Sequence, residues 1–430
     1  MNIISNKQGL LSLCPMMALI VLIVGLSIYF HDAYKVPIVI VFIITAVVSL
    51  LTLKHTPLNE RINIFSRGAG HSDLMLMVWI FILAGAFASS AKAMGAVDTT
   101  VNLTLKVLPA NMLLPGIFIA ACLVSLSIGT SVGTIAALVP IATEMAQKTG
   151  IDLTMLTAAT VGGAFFGDNL SFISDTTIVA TKTQGCAMRD KFRTNFWIAL
   201  PAAIITLVIY IVFGASHGTM PIEASDISAI KALPYLVVLV TAICGLNVMI
   251  ALPLGIVLTG IIGMLTNDYN FLTWCDTMTQ GIYSMTETIL IALLAGGILN
   301  VIRHGGGISW LIQKLVAHTN GIKRAELSIA ALVSLTNVCT ANNTVAILSV
   351  GTIAREISQR FGINPRRAAS ILDTFSCFVQ GIIPYGAQLL IASALASVPA
   401  TSLMPYLYYP YLLGASALAT ILFVKRRNKE

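Results

Sequence analysis

Two aspartates lie seven positions apart in the stretch GGAFFGDNLSFISDTT, Gly162–Thr177, and polar side chains fill the interval. Ser171 follows Asp168 by three residues, so Asp168, Ser171 and Asp175 share one helical face. Asn169, Ser174, Thr176 and Thr177 add further oxygens within the same stretch. With Gly162, Gly163 and Gly167 beside them, these residues predict a locally unwound helix whose freed carbonyls and hydroxyls act as ligands. Carboxylate, carbonyl and hydroxyl oxygens make a hard donor set, suited to Na+ rather than to a soft metal. Asp168 and Asp175 are the expected direct Na+ ligands. A second stretch, ILDTFSCFVQGIIPYGAQLL (Ile371–Leu390), sets Asp373 ahead of Thr374, Ser376 and Gln380, and its Gly381, Pro384 and Gly386 break the helix that follows. Plainer readings exist for both regions: Asp175 as a helix cap, and Asp373 as a partner of Arg366 or Arg367.

These carboxylates stand in apolar surroundings. The chain is 57% hydrophobic and 10% charged, whereas soluble domains carry roughly 25% charged residues. Apolar runs at Leu10–Phe30, Val36–Leu53, Leu74–Ala91, Met112–Ile128, Phe196–Gly214, Leu233–Leu265, Thr288–Ile302 and Tyr406–Val424 are near or above the length of a bilayer-crossing helix. The chain therefore reads as an all-α polytopic membrane protein of one folding unit, with the lipid bilayer as its first partner. An ionised side chain at the bilayer centre is costly, which makes an aspartate there a functional candidate. The first run is followed at once by further spans and has only Lys7 ahead of it, so it reads as a retained helix rather than a cleaved signal. Seven scattered cysteines without a CxxC pair read as small buried hydrophobes, giving neither a disulfide framework nor a zinc site.

The net charge of +7 reports orientation rather than a nucleic-acid partner. Segments Lys54–Arg67, Lys182–Arg193, Arg303–Arg324, Arg355–Arg367 and Lys425–Lys429 hold 19 of the 25 Lys and Arg residues. Placing them inside puts the protein in the cytoplasmic (inner) membrane with both termini cytoplasmic. The sequence also repeats itself. ACLVSL at Ala121–Leu126 returns as AALVSL at Ala330–Leu335, and QKTGI at Gln147–Ile151 returns as QRFGI at Gln359–Ile363. Two halves, residues 1–215 and 216–430, are expected to share one architecture.

Each half contains an interrupted segment. SIGTSVGT (Ser127–Thr134) breaks residues 112–147, and NVCTANNT (Asn337–Thr344) breaks residues 325–358. Both read as re-entrant hairpins, with tips carrying Thr130, Ser131 and Thr134 in one half and Thr340, Asn342, Asn343 and Thr344 in the other. A broken helix follows each hairpin, at about 156–181 and 368–397. On this count each half has five spans and one hairpin. Five is odd, so the halves are inverted, with the broken helices meeting at mid-membrane as in secondary transporters. The sequence permits a homodimer. Catalytic parts are missing: there is no GxSxG, no HExxH and no P-loop, so the chain does not read as an enzyme and calls for no cofactor.

The stretch GGAFFGDNLSFISDTT resembles the signature of the NhaC-type sodium/proton antiporters, in which Gly-Asp is followed by Met-Ser-Pro and Leu-Ser-Asp-Thr-Thr. Gly167-Asp168, Ser171 and Ser174-Asp175-Thr176-Thr177 match it. Asn169 stands where that family often has lysine, and Phe172 where it often has proline. The resemblance implies exchange of cytoplasmic Na+ for external H+, with Asp168, Asp175 and Asp373 as the residues that bind cation and proton. The wider group includes exchangers of organic acids or amino acids coupled to Na+ or H+. Physically, a carboxylate taken out of water is disfavoured in its charged form. It then holds a proton or a sodium ion, and exchange follows if only loaded forms reorient.

Overall fold

Every element among the described residues is helical. The computed structural model describes residues 5–30, 37–54, 56–107, 109–171, 174–215, 229–244, 246–317 and 321–423. Phe172 and the basic run Lys425–Lys429 lie outside them. The first half comprises α1 (Asn6–Phe30), α2 (Ile38–Thr52), α3 (Leu58–Ala69), α4 (Ser72–Ala93), α5 (Ala96–Val107), α6 (Leu113–Ile128), α7 (Ser131–Thr149), α8 (Leu153–Leu170), α9 (Asp175–Gln184) and α10 (Met188–Ala215). The second half comprises α11 (Leu233–Ile243), α12 (Val248–Leu265), α13 (Phe271–Ser284), α14 (Thr286–His304), α15 (Gly307–Ala317), α16 (Ile322–Thr340), α17 (Asn343–Phe361), α18 (Pro365–Gln380), α19 (Ala387–Ala396), α20 (Ala400–Leu403) and α21 (Tyr408–Leu422).

The helices recur. From α7 and α17 to α9 and α19, each helix of the first half starts 212 positions before its counterpart. The turns between them recur as well. Left-handed backbone occurs at Gly129 (φ 75°) and Ala341 (φ 49°), at Gly150 (70°) and Gly362 (68°), and at Gly185 (71°) and Ser397 (53°), each pair again 212 apart. Ala341 and Ser397 hold this conformation without glycine, at a cost of roughly 1–2 kcal/mol for an L-residue. Over these segments the same order of helices and turns occurs twice.

Among the described residues, four single helices are long and apolar enough to cross a membrane: Leu74–Ala93, Met188–Gly214, Val248–Leu265 and Thr286–His304. Ala387–Ala396 and Ala400–Tyr406 form a fifth such unit, bent by 101°. Three of the long segments are divided. Leu233–Leu265 is split into α11 and α12, where the Asn247 side chain accepts from the Met249 N–H and starts the second helix. Residues 112–147 are divided at Gly129 and Thr130, and residues 325–358 at Ala341 and Asn342.

The glycines of Gly162–Thr177 serve helix packing rather than unwinding. Gly162, Gly163 and Gly167 all lie within regular α8, which ends only after them, at Leu170, with Ser171 in extended backbone. They let α8 lie directly on α6: a methyl on Gly163 would meet the Phe118 carbonyl, and one on Gly167 would overlap Ser125 and the Leu126 backbone nitrogen. The Ser125 hydroxyl crosses this seam to donate to the Ala164 carbonyl. Small residues are what allow two membrane helices to approach so closely. Gly167→Ala is therefore expected to destabilise the fold by about 1–3 kcal/mol through overpacking, read as a lower melting temperature in detergent. Gly25→Ala, where nothing lies within 4 Å, is the control and should melt like the parent protein.

Candidate ion site

Asp168 lies near the end of α8, and the residues around it bring only neutral donors. Its Oδ1 accepts from the Ser174 hydroxyl at 2.7 Å. Its Oδ2 accepts from the Ser131 hydroxyl at 2.9 Å and from Asn343 Nδ2 at 3.4 Å. Ser131 opens α7 and Asn343 opens α17, so equivalent positions of the two halves converge on one carboxylate. Helix N-termini carry partial positive charge and suit an anionic side chain. A second layer holds the first: Gln388 Nε2 donates to Ser131 Oγ at 3.0 Å, and Gln380 Nε2 donates to Gln388 Oε1 at 2.8 Å and to the Ala341 carbonyl. Thr176 pairs with Ser174 at 2.9 Å.

Asp373, from α18, anchors a second cluster. Its Oδ2 accepts from Lys191 Nζ at 2.7 Å, Asn195 Nδ2 at 2.8 Å and Asn169 Nδ2 at 2.9 Å. Lys191 also donates to the Asn169 carbonyl at 2.6 Å and to Thr177 Oγ1 at 2.7 Å. The Lys191 and Asp373 side chains are both 0% exposed. The two clusters are neighbours in the chain, since Asp168 and Ser174 serve one while Asn169 and Thr177 serve the other.

The other expected residues fall into place around these two centres or away from them. Ser171 is buried and donates to the Leu126 carbonyl, tying the opened segment to α6. Thr134 donates to the Thr130 carbonyl, while Thr130 forms the extended residue of its turn. The Thr340 hydroxyl donates to the Asn342 carbonyl. Asn342 caps α17 by accepting from the Val345 N–H, and the Thr344 N–H donates to Asn343 Oδ1. Asp175 is exposed at the first position of α9, where its charge meets the positive end of that helix; the N-cap itself is Ser174, not Asp175 as the plainer reading had it. Asp373 does not take Arg366 or Arg367 as partner; Arg367 goes to Glu326 at 3.5 Å and to Thr420. Nor is Asp373 the counterpart of Asp168, because position 380, a glutamine, lies 212 beyond Asp168.

Two site residues escape a reading of the sequence. Lys191 groups there with the loop bases of Lys182–Arg193, and Asn195 falls just outside the apolar run that begins at Phe196. In fact α10 starts at Met188 and carries both inside. A signal does exist as spacing: 191, 195, 198, 199, 202, 206 and 210 form one buried face, while Ile204, Val208, Ile211 and Val212 are exposed toward lipid. Asn169 stands where the NhaC-type pattern often has lysine, and here the ammonium beside that position arrives from α10 instead.

Comparison with known proteins agrees with this architecture. The family model described as the Na+/H+ antiporter family matches residues 3–215 and 218–425, one segment in each half. The Na(+)/H(+) antiporter NhaC of Alkalihalophilus pseudofirmus is 24% identical over 80% of this chain and 81% of its own length. That of Bacillus subtilis is 24% identical over 83% and 85%. The malate-2H(+)/Na(+)-lactate antiporter of Bacillus subtilis is 19% identical over 80% of each chain. A multi-pass membrane transporter, and not an enzyme, this chain belongs to the Na+/H+ antiporter family.

Proposed function

We propose that the protein exchanges Na+ for H+ by alternating access, with Asp168 as the carboxylate that holds the sodium ion or the proton in turn. The observation that carries this reading is the convergence of Ser131 and Asn343, equivalent residues of the two halves, on one buried carboxylate. Asp168 is surrounded by hydroxyl and amide groups rather than by a base, so its charge awaits a cation. Sodium would take oxygens from Asp168, Ser131 and Ser174, a hard set. A proton would neutralise the same carboxylate and exclude the ion. An empty charged site is costly to move through low dielectric, so the loaded forms are the ones that reorient.

Two cavities support access from two sides. One is lined by Gly296, Leu299, Asn300 and Arg303 of α14 and ends at Thr340–Asn342, beside Asn343. The other is lined by Gly85, Ala88, Ser89 and Lys92 of α4, and its nearest approach along α7 is Pro140. Gly85, Ser89 and Lys92 each lie 211 positions before Gly296, Asn300 and Arg303, so corresponding faces of two corresponding helices line the two spaces. At 1.5 Å per residue, Pro140 is about 13 Å along the helix from Ser131. The cavity with Arg303 comes to the residue next to Asn343, closer to the site than the other.

A second reading, exchange of a small organic acid or amino acid, is favoured by the apolar character of the cavity bearing Arg303. Against it, the side chains that open α7 and α17, Ser131 and Asn343, already donate to Asp168. The test is a proteoliposome with a pH dye in its lumen, given external NaCl, then KCl, then a panel of organic acids and amino acids. Lumenal alkalinisation by NaCl alone is the expected result. Silence toward NaCl, with movement of one organic solute, would transfer the assignment to the second reading.

A further inference from the structure

The Lys191 ammonium has the surroundings of a bound sodium ion. It is held by one carboxylate oxygen, one backbone carbonyl and one hydroxyl, all at 2.6–2.7 Å. Those are the donor types a hard monovalent cation would select. Its three N–H bonds have three acceptors, and neither it nor Asp373 is exposed. Asn195, one turn further along α10, donates to Asp373 Oδ2 and to Asn169 Oδ1, fixing the cage from the same helix that delivers the ammonium. The neighbouring carboxylate, Asp168, is held by two hydroxyls and one amide without an ammonium: its hydrogen-bond partners Ser131, Ser174 and Asn343 are all neutral.

We propose that Lys191 is a tethered cation that fills one of two adjacent oxygen cages, leaving the cage at Asp168 as the single place for a transported ion. Two buried carboxylates and one ammonium carry a net charge of −1, which one sodium ion or one proton brings to zero. The loaded protein is then neutral at mid-membrane in both halves of the cycle. This rests on the exchange reading above and adds its stoichiometry: one Na+ per chain, one Na+ for one H+, and no net charge moved. The tether also explains why the Asp373 cage does not join in transport. Removing one partner of a buried ion pair leaves an uncompensated charge, so the ammonium leaves only if another cation replaces it.

The test counts sodium. Equilibrium binding of radioactive Na+ to the purified full chain is expected to saturate at one ion per chain, and Lys191→Arg, which keeps the tethered charge, at one as well. Lys191→Ala opens the second cage, and its count should rise to two. In proteoliposomes, Na+-driven proton movement by the unmodified protein should be unchanged when valinomycin and a K+ gradient set the membrane potential. Two ions per chain in the unmodified protein, or exchange driven by the potential, overturns the proposal even where Lys191→Ala cannot be purified. One ion in a well-folded Lys191→Ala protein overturns it too. Complete absence of Na+-driven proton movement would instead sink the exchange reading on which it rests.

Discussion

Asp168→Asn is expected to reduce Na+-dependent proton movement to that of liposomes without protein, while the protein still folds. The change removes the charge and little else. Asn is isosteric, its carbonyl can accept from one neighbour, and its amide can donate to the Ser174 or Ser131 hydroxyl, which accepts as readily as it donates. Stability in detergent should therefore stay near that of the parent. What is lost is the anion that a sodium ion requires in a dry site. Leaving a buried charge without its partner costs about 3–5 kcal/mol, and tenfold in affinity corresponds to about 1.4 kcal/mol. Sodium binding should weaken by two to three orders of magnitude, and no proton can be held at this position. Asp175→Asn is the discriminating companion. That carboxylate is exposed at the start of α9, so its neutralisation should leave exchange close to that of the parent and remove only a few tenths of a kcal/mol of helix stabilisation. Loss of exchange in Asp175→Asn with retention in Asp168→Asn would reverse the assignment of the two residues.

The contrast between these two aspartates shows how far the sequence could be read. Both sit in the same polar stretch, seven residues apart, and on an unbroken helix they would share a face. α8 ends at Leu170 and α9 begins at Asp175, which ends that register: Asp168 is buried near the end of one helix while Asp175 is exposed at the start of the next. Local composition located the break only loosely, because glycine serves two ends in a membrane helix. In α8 it lets α6 approach, whereas at Gly129 it turns the chain. The helix breaks at Gly129–Thr130 and Ala341–Asn342 were legible from their runs of small polar residues, and the recurring helix starts from short matches near a constant offset. The Asp373 cluster was not legible, since Lys191 comes from 182 residues away in the chain and resembles a loop base by neighbourhood. Its partner lies in the other half. A buried base can be found in a sequence only by asking whether its helix has begun, and that depends on where the chain enters the membrane.

Lys191→Met alone and Asp373→Asn alone are each expected to destabilise the protein by about 3–5 kcal/mol, and the two together by no more than about 1 kcal/mol. Each single change strands a charge that water cannot reach, for both partners are fully buried. In the double variant no charge remains, and the amide that replaces the Asp373 carboxylate would still offer an oxygen to Asn169 Nδ2 and Asn195 Nδ2, which now donate to Oδ2. The coupling energy of this cycle is then several kcal/mol, above the range usual for groups in direct contact. Thermal melting in detergent with potassium as the only alkali cation provides the measurement. Adding sodium separates a structural pair from a cage that recognises cations. A ligand that binds only the folded state stabilises by RT ln(1 + [L]/Kd), about 2.7 kcal/mol at a hundred times Kd. Sodium in excess should thus recover much of the melting temperature lost by Lys191→Ala, in which an ion has room to replace the ammonium. It should do less for the double variant, whose second cage has lost its carboxylate. Equal recovery in both would mean that sodium acts through Asp168 alone and that the surroundings of Lys191 do not select a cation.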